Sequence, residues 1–240
     1  MLLALDTSAG ASAALIRSGE VLASWRTEQT NTHAEVLAPA VQSLLQEAGA
    51  QVTAGEMPVD GVVVGVGPGP FTGLRVGLAL AQSLAEGWGV PLHGVCSLDA
   101  VALHAVQTNS VSGEFLVTTD ARRREVYWAR YESDDDGSRL IEGPFVGSAS
   151  ELPELPAVGA GVSLYPEHLR LPDQAPREAS GWIPQAAELG LLADGALAGD
   201  LLGVLCEPRP LYLRESDAQI PQQMGAPQQT RAPQQTRSTP

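Results

Sequence analysis

The stretch GVVVGVGPGPFTGLRVGLALAQSLAEGWG, residues 61–89, carries a β-type apolar run into a glycine-rich loop and then into a long helix. Val62, Val63, Val64 and Val66 are β-branched and uninterrupted by polar groups, the composition of a strand buried on both faces of a parallel sheet. Pro68, Gly69 and Pro70 stop the run. The helix that follows, roughly Thr72 to Trp88, opens with free backbone N–H groups beside a flexible loop, an arrangement suited to an anion. Gly67, Gly69 and Gly73 are spaced GxGxxxG. That spacing matches neither the phosphate loop ending in Gly-Lys-Ser/Thr nor the GxGxxG dinucleotide fingerprint. A phosphate cradle and a tight strand-to-helix turn both fit the stretch.

The helix carries a second signal. In steps of four it runs Gly73, Gly77, Ala81, Ala85 and Gly89, a row of small side chains that another helix could approach closely. Val76, Leu80, Leu84 and Trp88 form a further apolar face. A helix apolar on most sides must be buried on most sides, so one face is expected on the parent sheet and the other against a neighbouring helix of this chain or of a second one.

Composition sets the bounds. The 240 residues, 44% of them hydrophobic, can bury a large core in one large or two small domains. No stretch reads as a membrane span, and MLLALDTSAG lacks the basic start of a secretory signal. With Cys96 and Cys206 as the cysteines, no disulfide framework is implied, and a cytoplasmic location is expected. The net charge is −14, and all 14 basic residues are arginine. The absence of lysine excludes a Walker lysine, Schiff-base chemistry and pyridoxal phosphate attachment. So acidic a chain should bind nucleic acid poorly by itself, since that affinity rests on phosphate neutralisation. Arg122, Arg123 and Arg124 are its one basic concentration and read as a solvated hairpin turn.

Along the chain, LLALD is a strand ending in Asp6, and two more strand-like runs follow it, joined at Ser18 and Gly19. Thr32 and Glu35 form a capping box for a helix over residues 33–48 that Gly49 closes, with a kink expected at Pro39. PLHGVCS is a short strand, and Ser97 is placed to cap the next helix, giving the order βββαβαβα. GEFLVTTD then repeats the opening as a strand ending in Asp120, ARRR turns, EVYWARYES returns and ESDDDGS makes an acidic turn. LPAVGAG is a later strand and turn, IPQAAELGLLADGALAG a helix and PLYLRES an extended segment. The pattern predicts an α/β protein of two similar units, residues 1–107 and 108–218. Residues 219–240 repeat APQQTR without apolar period and are expected to be a disordered Gln/Pro/Thr-rich tail.

Two halves that each open with an aspartate-ended strand resemble the actin, hexokinase and Hsp70 architecture. There, two ribonuclease-H-like subdomains in tandem, each a mixed sheet with helices, hold ATP between them (the ASKHA superfamily). LALDTS, GPGPFTGLRVGLALAQSLA, SLDA at 97–100, DARRREVY at 120–127 and PLYLRESDA at 210–218 together resemble the bacterial TsaB (YeaZ) family, in family order over residues 1–217. The chain departs from the pattern at Arg124, where the family usually has glycine.

The resemblance implies a noncatalytic scaffold and dimerisation subunit in the making of N6-threonylcarbamoyladenosine, next to the anticodon of tRNAs reading codons that begin with A. Its expected partners are the catalytic paralogue TsaD, as a heterodimer, and the ATPase TsaE, with TsaC or a relative making the adenylate. A homodimer of the chain alone stays open, tRNA is met through the complex, and ATP and a metal ion belong to the partner subunits. The paralogue binds metal through two histidines four apart; here His33 is followed at that spacing by Leu37, so no metal and no catalytic residue are expected. Asp6 and Asp120, with Thr7 and Ser8, could hold residual nucleotide, but Asx turns are favoured because DTSA lacks the early glycine of phosphate-binding DxG loops. The partner surface is assigned to the helices at 33–48 and 72–88: His33, Leu37, Val41, Phe71, Gly73, Leu74, Val76, Gly77, Leu80, Ala81 and Leu84. A large residue at Gly77 or Ala81 is expected to break the complex. The alternative is an actin-like ATPase or kinase acting alone; a peptidase finds no Ser/His/Asp or metal constellation here.

Overall fold

The computed structural model describes residues 1–27, 33–49, 58–134 and 137–214. The expected order βββαβαβα is present as β1 (Leu2–Asp6), β2 (Ala11–Arg17), β3 (Glu20–Thr27), α1 (His33–Glu47), β4 (Gly61–Gly65), α2 (Phe71–Trp88), β5 (Leu92–Val95) and α3 (Ser97–Gln107). The capping residue Thr32, the side chains of His33 and Glu35, the middle of the acidic turn and the tail all lie outside the described residues. Pro39 sits within α1 on its exposed side, and Gly49 takes the left-handed φ of 64° that ends the helix.

The valine run is the centre of the first sheet. β4 lies parallel to β1, with Leu3 beside Val62 and Leu5 beside Val64, and parallel to β5 on its other side. β1, β2 and β3 form an antiparallel meander. Strand alternation then sorts the apolar groups. Leu3, Leu5, Val62 and Val64 pack with Leu37, Val41, Leu44, Leu74 and Ala81 of α1 and α2, whereas Leu2, Ala4 and Val63 pack on the opposite face with α3 and a later helix.

The second half supplies β6 (Gly113–Asp120), β7 (Val126–Asp134), β8 (Gly137–Gly147) and β9 (Ala157–Val158), in the sheet order β8-β7-β6-β9. β8, which sequence reading had not singled out, pairs antiparallel with β7 across the acidic turn. α4 (Ala160–Leu164) packs on one face, and Phe115, Val117, Ala129 and Tyr131 on the other meet Leu98, Val101 and Ala105 of α3. α3 is therefore shared by both sheets.

The last elements cross back. α5 (Ala186–Ala198) forms where a helix was expected, but it packs through Ala186, Leu189, Leu192 and Ala193 on the first sheet, and β10 (Leu205–Cys206) extends that sheet beside β5. A Cβ at Gly190 would overlap Ile16, so glycine is what lets α5 lie this close to β2. The sequence division near residue 107 separates nine of the ten described strands by sheet, while α5 and β10 belong in space to the first sheet.

Candidate functional site

The end of β1 and the glycine-rich loop meet beneath the start of α2, where a phosphate cradle or a closed turn was to be distinguished. Asp6 is 1% exposed. Its Oδ1 accepts the Ser8 backbone N–H at 2.8 Å and the Ser8 hydroxyl at 2.7 Å, an Asx turn, while Oδ2 accepts the Ser97 hydroxyl at 2.7 Å. Ser97 does not cap α3 as expected. Cys96 holds the cap position, and the Ser97 oxygen is engaged instead by Asp6 and by the Gly67 N–H at 3.1 Å.

The glycines of the loop are filled from within the chain. A Cβ at Gly69 would lie 2.5 Å from the Ser8 carbonyl oxygen, and one at Gly65 would overlap the Asp6 carboxylate. Thr7, also 1% exposed, donates its hydroxyl to the Gly73 carbonyl at 2.8 Å. A phosphate could approach Asp6, Thr7 or Ser8 only by displacing the loop, so these three residues do not fit a nucleotide in this arrangement. Asp120 repeats the device on β6: its Oδ1 accepts the Arg122 N–H at 2.7 Å and Oδ2 pairs with the Arg122 guanidinium at 3.0 Å. Among the described residues no cluster of three or more His, Cys, Asp or Glu could hold a metal.

The same contacts redistribute the partner surface. A Cβ at Gly77 would overlap Thr7 Oγ1, and Gly73, Gly77, Ala81 and Ala85 are all buried on the parent sheet and the β1 turn. Leu37, Val41 and Leu74 are core residues at 0%, 4% and 0% exposure. The small-residue row therefore packs inward, because the β1 turn needs backbone-close approach to α2, and a large residue at Gly77 would strike the fold before any complex. Outward, α1 and α2 present Ala38, Pro39, Gln42, Ser43, Gln46 and Glu47 with Thr72, Arg75, Ala79, Gln82, Ser83 and Glu86, flanked by the half-buried Phe71, Val76, Leu80 and Leu84. His33 begins α1, and its side chain lies outside the described residues.

Comparison with known proteins agrees with this geometry. The family model of TsaD, tRNA N6-adenosine threonylcarbamoyltransferase, matches residues 20–167. The Escherichia coli (strain K12) tRNA threonylcarbamoyladenosine biosynthesis protein TsaB is 30% identical over 227 residues, covering 90% of this chain and 96% of the relative. The chain belongs to the TsaB (YeaZ) family. A Mycobacterium tuberculosis (strain H37Rv) protein is 40% identical over 220 residues, 90% of this chain and 93% of its own length. Among solved structures, YeaZ from Pseudomonas aeruginosa superposes with a TM-score of 0.71 at 30% identity, over 88% of this chain and 99% of that one. A second P. aeruginosa structure, described as similar to peptidase YeaZ, gives 0.74 at 31% identity over 89% and 99%. The two-subdomain actin-like fold of the TsaB family is thus the fold of this chain.

Two features of this TsaB-family chain escaped sequence reading. Residues 209–214 form a strap from the first sheet to the β6–β7 turn. Leu211 N–H donates to the Val66 carbonyl at 2.8 Å, Tyr212 packs its ring 4.4 Å from that of Phe71 and accepts from Arg75 Nε at 3.0 Å, and Arg214 donates to the Ala121 carbonyl at 2.9 Å and pairs with Glu125. PLYLR read as an extended segment and part of a family motif, and nothing local to it encodes partners such as Ala121 and Arg75, 93 and 137 residues upstream. The second is Asp99, half-buried in the first turn of α3 and accepting the Tyr131 hydroxyl of β7 at 2.7 Å. Burial lifts its pKa to about 6 against the opposing hydrogen bond from Tyr131. The half-buried Cys96 and the buried Tyr131 are pushed up by desolvation first and by the Asp99 charge second.

Proposed function

We propose that this chain is a noncatalytic subunit of the machinery that forms threonylcarbamoyladenosine on tRNA, and that it docks a TsaD-type paralogue through the outer face of α1 and α2. The observation that carries the reading is the closed β1 turn. The aspartate that orients metal or phosphate in ATP-using relatives of this architecture is here consumed by Ser8 and Ser97. Its 30% identity to a TsaB protein over most of both chains supports the pathway. The outer surface of the two helices includes small, uncharged groups, Ala38, Gln42, Ser43, Thr72, Ala79 and Ser83, that a helical partner can approach closely, alongside the charged Glu47, Arg75 and Glu86. In this reading the protein works in the cytoplasm and requires no cofactor of its own. ATP and a metal ion serve the TsaD and TsaE partners, and a homodimer through the same face competes with the heterodimer.

Reconstitution tests the reading: tRNA modification is measured with TsaC, TsaD and TsaE, with and without this chain. Modification that depends on the chain supports a scaffold, and equal activity in its absence overturns it. Ala79→Arg and Ser83→Arg, at exposed positions, should abolish co-elution with TsaD while leaving the circular dichroism spectrum unchanged. Calorimetric titration of the isolated chain with Mg-ATP addresses the rival reading, since tight binding with turnover would make it an ATPase or kinase in its own right.

A further inference from the structure

A cavity of about 370 Å³ lies where α3, the start of α5 and residues 178–183 meet β3, a volume within the roughly 300–1,000 Å³ of small-molecule sites. α3 and α5 cover the face of the first sheet opposite α1 and α2, so that sheet separates the cavity from the docking helices. A chain of contacts ties its walls together. Arg26 of β3 stands beside Ser12 of β2 in register, and the Ser12 hydroxyl oxygen accepts the Ala186 N–H at 2.9 Å, which sets the first turn of α5 against these strands. In that turn Glu188 holds its Oε1 2.9 Å from His104 Nδ1 of α3, and the His104 ring meets that of Trp182 edge-on, 4.6 Å between centroids. Arg26, Glu188, His104 and Trp182 all line the cavity, with Val101 and Ile183 as apolar wall.

Two of these groups are unsatisfied, and their charges are opposite. The Glu188 side chain is 13% exposed, and its Oε2 is buried with no hydrogen-bond donor among the described residues. A carboxylate oxygen left in that state costs free energy that a donor recovers. Arg26 is exposed, and its guanidinium makes no ion pair or hydrogen bond among the described residues. Glu178, the remaining acid of the lining, is exposed and adds negative charge on the same side as Trp182.

We propose that this cavity binds a free amino acid with a bulky apolar side chain. The ammonium group supplies the donor that the Glu188 carboxylate lacks, the carboxylate takes the paired donors of the Arg26 fork, and the side chain lies against Trp182, Val101 and Ile183. A simple cation leaves Arg26 unmet and a simple anion leaves Glu188 unmet, so the two groups together select a molecule that carries both charges. The ligand also touches both halves of the chain. Arg26 and Glu188 belong to elements on the first sheet, whereas the Trp182 segment is tied to the second half, its Ala179 and Trp182 carbonyls accepting the Gly159 and Ala160 N–H groups at 2.7 and 2.9 Å.

The test titrates the full chain with L-phenylalanine and with L-leucine by calorimetry, and follows the Trp182 indole N–H resonance, assigned with Trp182→Phe. Both amino acids should bind and shift that resonance. N-acetyl-L-phenylalanine, which has no ammonium group, and L-phenylalanine amide, which has no carboxylate, should each bind about tenfold more weakly, the worth of one charge-assisted hydrogen bond. Arg26→Ala should weaken phenylalanine binding by about the same factor and melt with the parent, because the side chain it removes is exposed and unpaired, which separates lost contact from lost fold. Glu188→Gln, which keeps an oxygen for His104, should weaken it likewise. Arg139→Ala, an exposed arginine on β8 paired with Glu132 and outside the cavity lining, serves as the control and should bind unchanged. Absence of heat and of a Trp182 shift with both amino acids overturns the proposal. So does binding of the amide or the acetyl derivative as tight as that of phenylalanine, or binding unaltered in Arg26→Ala.

Discussion

At the scale of single residues, Asp99 has the clearest consequence. Its carboxyl titrates near 3.8 in the unfolded chain and at about 6 when folded, because burial penalises the charged form more than the Tyr131 hydroxyl rewards it. The folded state therefore holds the proton more tightly. This group favours folding most below the unfolded pKa, and its contribution falls as pH rises towards 6 and is level beyond, a change of about 3 kcal/mol. Asp99→Asn should match the parent at pH 4 and exceed it by about 2 kcal/mol at pH 8, since asparagine accepts the same hydroxyl without a charge to desolvate. Urea unfolding at the two pH values checks this, and equal stability at pH 8 would contradict it. Arg124 offers a second prediction. At φ 64° the substitution Arg124→Gly should raise stability by about 1 kcal/mol, read as a higher Tm, because strain relief exceeds the entropy that glycine adds to the unfolded chain. The carboxylates themselves were readable in part. DTS suggested an Asx turn at Asp6, but the third donor, Ser97, comes from 91 residues away.

Among the elements, α2 decides how the partner surface must be drawn. Its length and both of its ends were legible, because Pro70 precedes the apolar period and Gly89 ends it at φ 70°, with the following Val90 N–H returned to the Ala85 carbonyl at 3.0 Å. Its orientation was not. A helix with two apolar faces leaves open which one meets the sheet, and here the small face does, since Thr7 needs room against Gly73 and Gly77. Gly77→Leu should accordingly lower stability by 3 kcal/mol or about that, through overpacking against Thr7. The outward Ala79→Arg should unfold at the same denaturant concentration as the parent. Chemical unfolding of the two variants distinguishes a core glycine from an interface glycine directly; equal midpoints would return Gly77 to the surface.

At the scale of the whole molecule, the two sheets are joined, among the described residues, by α3 packed on both, by the Asp99–Tyr131 hydrogen bond and by the 209–214 strap. Arg214 anchors the strap at 19% side-chain exposure, so Arg214→Ala removes a hydrogen bond to Ala121 and leaves Glu125 without its cation, at a cost of about 2 kcal/mol. Faster hydrogen exchange at the Leu211 amide, bonded to Val66, should accompany the loss, and unchanged exchange would show that the strap is held elsewhere. By itself the sequence determined the order of strands and helices through the first half, the two aspartate-ended strands, the arginine turn and the family motifs. These are local matters of period, turn chemistry and spacing, which the chain expresses within a few neighbours. Only the tertiary structure decided that α5 and β10 return to the first sheet, that the glycine row of α2 faces inward and that Asp6 is sealed by Ser97. Each of those depends on which apolar surface is covered by which, a competition among distant segments of similar composition that no local pattern distinguishes.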